Sequence, residues 1–263
     1  MTALLDITNP YTRRARLTPA LIVVLPLGLA VLSWSPDGLK SWTVLWSLFV
    51  WAGGTALMAQ VARDRGKEKE KELFQSWGGK PTTQLLRYAG CENPVLVTRR
   101  HTRLQNVLAD IHLPNEAEEY ADPQHADNTY DTCVRWLLEQ TRDQKKFNLL
   151  FEENCNYGFR RNLWGMKPMG ILLSMIGFIL GSTAVVIHIQ AHTVVSPISY
   201  GGLACTLALL IFWTVWCRPG WIKLSADAYA ERLLAAPDAL GSIAATPKKP
   251  TRKAKSPAKS NDI

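Results

Sequence analysis

Long apolar stretches alternate with charged segments along the chain. Four stretches of 18 to 22 residues contain no Asp, Glu, Lys or Arg: Leu17–Trp34, Trp42–Ala62, Met169–Gln190 and Ile198–Cys217. At a rise of about 1.5 Å per residue, a helix of this length crosses a hydrocarbon core about 30 Å thick. The pattern predicts an all-α membrane protein with four transmembrane helices. These form two hairpins, residues 17–62 and 169–217, which flank a small helical cytosolic domain at residues 63–168.

The positive charges are distributed very unevenly about these predicted spans. All but one of the 30 Lys and Arg residues would lie on one side of the membrane, and the exception is Lys40 in the first hairpin turn. Loops rich in Lys and Arg stay in the cytoplasm. We therefore expect a multi-pass protein of the cell inner (plasma) membrane, with both termini and residues 63–168 in the cytoplasm.

The segments outside the spans have distinct compositions. Residues 1–16 are expected to form a cytosolic N-terminus, and residues 218–245 a juxtamembrane amphipathic helix. The tail, residues 246–263, carries six basic residues and one acid among Pro, Ser and Ala. Such a tail has too few apolar groups to offset the entropy of ordering, so it is predicted to be disordered and to attract anionic lipids. Its contact with nucleic acid would be non-specific.

Residues 63–168 contain patterns typical of helices and no convincing alternation of period two. The alternating charges after Arg63 predict that the second span continues as a stalk and stops at Gly78 and Gly79. Asp122 followed by Pro123 is a typical helix start. Four helical segments are predicted beyond the stalk: Gln84–Tyr88 capped by Thr82 or Thr83, Val95–Ile111, Pro123 to about Lys146, and Phe147–Trp164, which leads through Gly165–Pro168 into the third span.

Two groups of residues are candidates for ligand binding. Lys80 follows two glycines and precedes Pro81, a combination that can bind phosphate but more often forms a corner between helices. Asn154, Tyr157, Arg160 and Arg161 lie just before the third span, and Arg161 shares one helical side with Asn154 and Tyr157. A guanidinium beside aromatic rings can bind an anionic ring compound. The alternative is a juxtamembrane helix whose Arg160 and Arg161 meet anionic lipid headgroups.

The sequence predicts neither a metal centre nor a bound cofactor. The acidic residues between Glu116 and Asp131 match no metal-ligand spacing, and acids in a first helical turn are explained by the helix dipole. The five cysteines contain no Cys-x-x-Cys pair and are expected to be reduced in the cytosol.

Small residues recur along the third predicted span. Gly177 and Gly181 form a GxxxG motif, which Gly170 and Ser174 extend upstream. Such faces allow helices to pack closely, either within one chain or between copies in a homo-oligomer.

The sequence leaves three functions open. The first is a non-enzymatic interaction or sensor module that receives a cytosolic protein or small ligand through residues 63–168. The second is an oligomeric membrane-permeabilising effector, because the order of elements resembles that of the four-helix membrane effectors of bacterial antiviral systems, although no motif is shared. The third is a membrane enzyme acting on a lipid-linked or nucleotide substrate through residues such as Lys80, Asn154 and Arg161.

Overall fold

The computed structural model describes residues 9–34 and 41–244, with side chains except those of residues 41–52, 55 and 241–244. Within these ranges all regular structure is helical and no strand occurs. The helices are α1 Thr12–Trp34, α2 Ser41–Ser76, α3 Pro81–Gln84, α4 Pro94–Val107, α5 Glu116–Ala121, α6 Pro123–Gln140, α7 Asn148–Gln190, α8 Pro197–Trp216 and α9 Pro219–Ala244. The predicted tail, residues 246–263, and the first hairpin turn lie outside the described residues.

Three of the described helices, α1, α7 and α8, are long and apolar enough to cross a membrane. Their outward faces carry large apolar side chains, for example Val31, Leu172, Ile179, Ile211 and Val215. A continuous apolar surface of this kind is suited to lipid rather than to water. These helices indicate a membrane protein. The fourth predicted span, Trp42–Ala62, begins among side chains outside the described part, so the structure supports three spans rather than four.

Helices α2 and α7 both continue from apolar into charged sequence without a break. Helix α2 runs for 36 residues, which confirms the predicted continuation of the second apolar stretch into the charged run. Helix α7 runs for 43 residues through Pro168, so the predicted segment Phe147–Trp164 and the third span form one helix. A proline costs one backbone hydrogen bond, and here α1, α2, α8 and α9 pack along the helix and hold its direction.

The shorter helices α3, α4 and α6 form a core with α9. Leu86, Leu104, Tyr130 and Leu137 are fully buried in this core together with Leu233 of α9. Helix α9, Pro219–Ala244, lies within the segment expected to form an amphipathic helix, residues 218–245, and its apolar stripe packs on these helices. The helices from α3 to α6 therefore share one core with the C-terminal helix.

The first residues of the helices show which local sequence signals predicted a helix start correctly. Asp122 caps α6 by accepting a hydrogen bond from the His125 backbone amide at 3.0 Å, with Pro123 at the first position, which confirms that prediction. The predicted cap at Thr82 or Thr83 is wrong, because α3 begins at Pro81 and both threonines are buried. The next helix begins at Pro94, capped by Asn93, and ends at Val107 rather than at Ile111.

Candidate functional site

Helices α2 and α7 cross with almost no space between their backbones. A Cβ atom placed on Gly165 of α7 would lie 2.5 Å from the backbone nitrogen of Gly66 and 2.8 Å from its Cα. A Cβ atom on Gly66 of α2 would in turn collide with Asn162. Only glycine permits an approach of this kind. This contact, centred on Gly66 and Gly165, is called the crossing below.

A buried polar cluster lies beside the crossing. The hydroxyl of Tyr157 donates to the Glu70 carboxylate at 2.5 Å, and the Arg161 guanidinium donates to the same oxygen at 3.1 Å. The Asn162 side chain, which is fully buried, accepts from Arg161 at 3.3 Å and donates to the Ala15 carbonyl at 2.6 Å. The cluster therefore joins α1, α2 and α7 at one level of the molecule.

The electrostatics of this cluster favour a charged pair with a neutral tyrosine. Burial raises the pKa of Tyr157, and the neighbouring Glu70 carboxylate raises it further. Burial acts to lower the pKa of Arg161, but the Glu70 carboxylate together with Tyr11 and Tyr157 outweighs it, so the net pKa is raised. Arg161 therefore stays cationic and Tyr157 stays a hydrogen-bond donor at neutral pH.

Beyond the crossing, α2 and α7 border a cavity of about 320 Å³ that α3, α6 and α9 complete. We call it the interhelical cavity. Its walls are mostly apolar and come from Phe74, Val134, Leu138, Tyr229, Ala230 and Leu233. Tyr157 connects it to the polar cluster, and the ring of Tyr157 stacks on Tyr229 with centroids 6.1 Å apart. Burial raises the pKa of Tyr229 to about 12, so both rings are neutral.

One end of the interhelical cavity is charged. Lys80, at the start of α3, forms an ion pair with Asp131 of α6. The other oxygen of Asp131 accepts from Arg135 at 2.8 Å. Lys80 and Arg135 are both solvent-accessible, with 46% and 76% of their side chains exposed. Two cations around one carboxylate leave this end with a net positive charge.

A second, more polar cavity of about 270 Å³ adjoins the first. Leu138 and Tyr229 line both cavities, and Asn154 lies in the second together with Asn9, Tyr11 and Gln144. The structure therefore places Lys80 and Tyr157 in one cavity and Asn154 in its neighbour, with two shared side chains between them.

The two arginines of the predicted group point in different directions. Arg161 is only 9% exposed and contacts Glu70 and Asn162 rather than facing solvent. Each of its three nitrogens already donates to a protein group and little of the side chain reaches the surface, so the geometry supports neither the bidentate anion site nor the headgroup contact suggested for this residue. Arg160 lies against α9, where it donates to the Trp221 carbonyl at 2.8 Å and covers the indole ring at 4.8 Å.

The small residues of the third predicted span all face other helices of the same chain. Gly170 contacts Trp213 of α8, Gly177 contacts the backbone of Pro26 in α1, and Gly181 contacts Leu203 of α8. Ser174 is fully buried between them, and its hydroxyl has no hydrogen-bond partner among the described residues. In contrast, Gly201 of α8 has no heavy atom near it, and Cys205 is exposed.

Sequence reasoning missed Glu70, Asn162, Asp131 and Tyr229 as parts of the site. Glu70 belongs to a run of alternating Lys and Glu in which each acid has similar neighbours. A signal was nevertheless present, because Ala62, Gly66 and Leu73 repeat at helical spacing along α2 and are buried. Glu70 lies four residues after Gly66, on that same face.

Comparison of the chain with protein-family models, with curated proteins and with solved structures finds no match.

Proposed function

We propose that this protein is a non-enzymatic sensor or interaction module of the inner membrane. Residues 63–168 and both termini lie in the cytoplasm, and four helices including Trp42–Ala62 cross the bilayer. The distribution of Lys and Arg supports this orientation. Pairing of the charged groups around the interhelical cavity supports a binding role over a catalytic one, because Glu70 and Asp131 are held by cationic side chains.

The observation that carries this proposal is the continuity of α2 and α7. Both helices form walls of the interhelical cavity, and both continue unbroken into apolar sequence. Tyr157 precedes Met169 by 12 residues, or about 18 Å along a helix. A packed helix of this length transmits a displacement rather than absorbing it. A ligand or partner that changes the cavity would therefore shift the spans.

The partners follow from exposed surfaces of the same molecule. Tyr120 and Val95 are 90% and 77% exposed in the charged half of the chain, where a cytosolic protein partner would find apolar contacts. The lipid bilayer surrounds the spans, and anionic lipids are the partners expected for Arg160 and, from its charge alone, for the basic tail.

Reconstituted vesicles test two things together: the orientation of the protein in the membrane, and the transmission of a displacement from the cavity to the spans. An impermeant maleimide should label Tyr120→Cys only from the cytoplasmic face. A solvatochromic side chain, encoded genetically at Thr193 in the loop between α7 and α8, reports movement at the far end of the spans. Filling the cavity with Ala230→Phe should shift its emission, and Ala235→Phe, on the exposed side of α9, should not. Labelling from the other face, or equal emission in both variants, would contradict the proposal.

A second candidate function is the oligomeric membrane-permeabilising effector. The observation that favours it is the open small-residue face of α8, where Gly201 and Cys205 are not covered by the chain itself. An effector should form Cys205 disulfides between copies under oxidation and should leak ions from liposomes. Leakage without ligand-dependent movement at Thr193 would favour this function over the sensor.

A further inference from the structure

The interhelical cavity combines a mostly apolar interior with charged side chains at one end. Its inner wall is formed by side chains of low polarity, and Ala226 and Ala230 are almost fully buried yet leave space beside them. Apolar space of this kind, with few polar groups placed at one end, is typical of sites for small amphipathic molecules.

The charge at the opening indicates the sign of a ligand's head group. Lys80 offers three donors and Arg135 five, and Asp131 occupies only part of this set. The charge of Glu70, which also lines the cavity, is balanced by Arg161 at 3.1 Å. An anionic head group would thus meet donors at the opening that no protein group occupies, whereas a cationic one would meet two like charges.

The position of the cavity indicates the source of such a ligand. The cavity lies next to the crossing, and α7 continues from Tyr157 into the most apolar stretch of the chain. Single-chain amphiphiles dissolve in the bilayer and leave it at its surface, so they are concentrated where this cavity is reached.

From these observations we propose that the interhelical cavity binds a single-chain amphipathic anion of the fatty-acid class. The chain lies between Phe74, Leu138 and Tyr229, and the carboxylate lies at Lys80 and Arg135. The inference rests on the proposed sensor function, for which it names the ligand class. A nucleotide is disfavoured because Tyr157 and Tyr229 stack on each other and Arg161 is already paired.

The test uses the full-length protein in lipid nanodiscs and a dodecanoate probe that carries a mid-chain diazirine. Photolabelling followed by peptide mapping should place the adduct on peptides of α6 and α9 that line the cavity. Unlabelled dodecanoate should compete, whereas dodecyltrimethylammonium, with the same chain and the opposite charge, should not. Lys80→Ala should weaken competition about tenfold, as expected for loss of one charged hydrogen bond.

Ala230→Phe should abolish cavity labelling, and Ala235→Phe is the matched control on the same helix. Wild-type discrimination between the two amphiphiles does not depend on the folding of any variant. Adducts confined to the lipid-facing spans, equal competition by both amphiphiles, or competition by ATP alone would overturn the inference. Cavity labelling without a response at Thr193 would leave the ligand inference standing and reject the sensor function. A shift of the emission at Thr193 in Ala230→Phe, without photolabelling of the cavity, would reject the ligand inference and leave the sensor function standing.

Discussion

The same two helices are in contact at one level and apart at the next. At the crossing, the backbones of Gly66 and Gly165 touch, and the buried Asn162 side chain is hydrogen-bonded on both sides. About two helical turns after Gly66, Phe74 of α2 borders a cavity of about 320 Å³. The difference lies in the side chains, because glycine and the cluster around Glu70 close one level and mostly apolar side chains border the cavity at the other.

The crossing therefore acts as a pivot for α2 and α7, and the interhelical cavity lies beside it. Close-packed regions resist deformation, whereas an unfilled cavity offers room for displacement at little cost. A change in the cavity would therefore turn α2 and α7 about the crossing rather than separate them there. Predictions that add or remove atoms at each level test whether the two regions differ as described.

Removing the charge partner of Glu70 should have the largest effect. Arg161→Met leaves a carboxylate buried beside Tyr157 with no counter-charge, which should lower the free energy of unfolding by about 4 kcal/mol. The double variant Glu70→Gln with Arg161→Met removes both charges and should recover a substantial part of that loss. Thermal unfolding in detergent measures both. A double variant no more stable than Arg161→Met would argue against a buried ion pair.

A side chain at the crossing should be nearly as damaging. Gly165→Leu forces the α2 and α7 backbones apart, and we expect a loss of about 3 kcal/mol. Gly201→Leu, at a helical glycine with no neighbouring atoms, is the matched control and should change stability little. Similar melting temperatures for the two variants in the same detergent would mean that the helices are not in contact at Gly165.

Loss of the tyrosine hydroxyl should have a moderate effect. Tyr157→Phe keeps the ring on Tyr229 but removes the donor to Glu70, which should cost about 1 kcal/mol. Arg161 retains its bond to the carboxylate in this variant, so the effect should be smaller than that of Arg161→Met. Chemical denaturation compares the two directly, and a larger effect of Tyr157→Phe would reverse their roles.

Filling the cavity should have the smallest effect on stability. Ala230→Phe adds a ring that the cavity accommodates with a small outward displacement of its walls, so the free energy of unfolding should change by less than about 1 kcal/mol. The same helix carries the exposed control Ala235→Phe. A loss of stability as large as that caused by Gly165→Leu would show that the cavity has no room for a ring. The cavity and the crossing would then be equally close-packed.

Helical periodicity and apolar length predicted most of the architecture, including the charged continuation of α2 and the cap at Asp122. They did not show that Phe147–Trp164 and the third span form one helix, because Gly165 and Pro168 disfavour a helix locally while the packing of four neighbouring helices maintains α7. Of the candidate ligand residues, Lys80 and Tyr157 do share a cavity, and Arg161 instead serves the cluster beneath it. Pairings such as Arg161 with Glu70 join residues 91 positions apart, so no local pattern reveals them.

Distances measured by electron paramagnetic resonance, across the cavity and across the crossing, test most directly whether α2 and α7 turn about the crossing. Genetically encoded spin labels at Gln75 and Glu139, each next to a side chain that lines the cavity, span the cavity. Labels at Lys67 and Pro168, each within one helical turn of Gly66 or Gly165, flank the crossing, and all four positions are exposed. With Ala230→Phe, the first distance should increase by about 2 Å, the scale of helix shifts in switching proteins, while the second stays constant. A change of the same size in both pairs, or in the second pair alone, would contradict a fixed crossing beside a variable cavity.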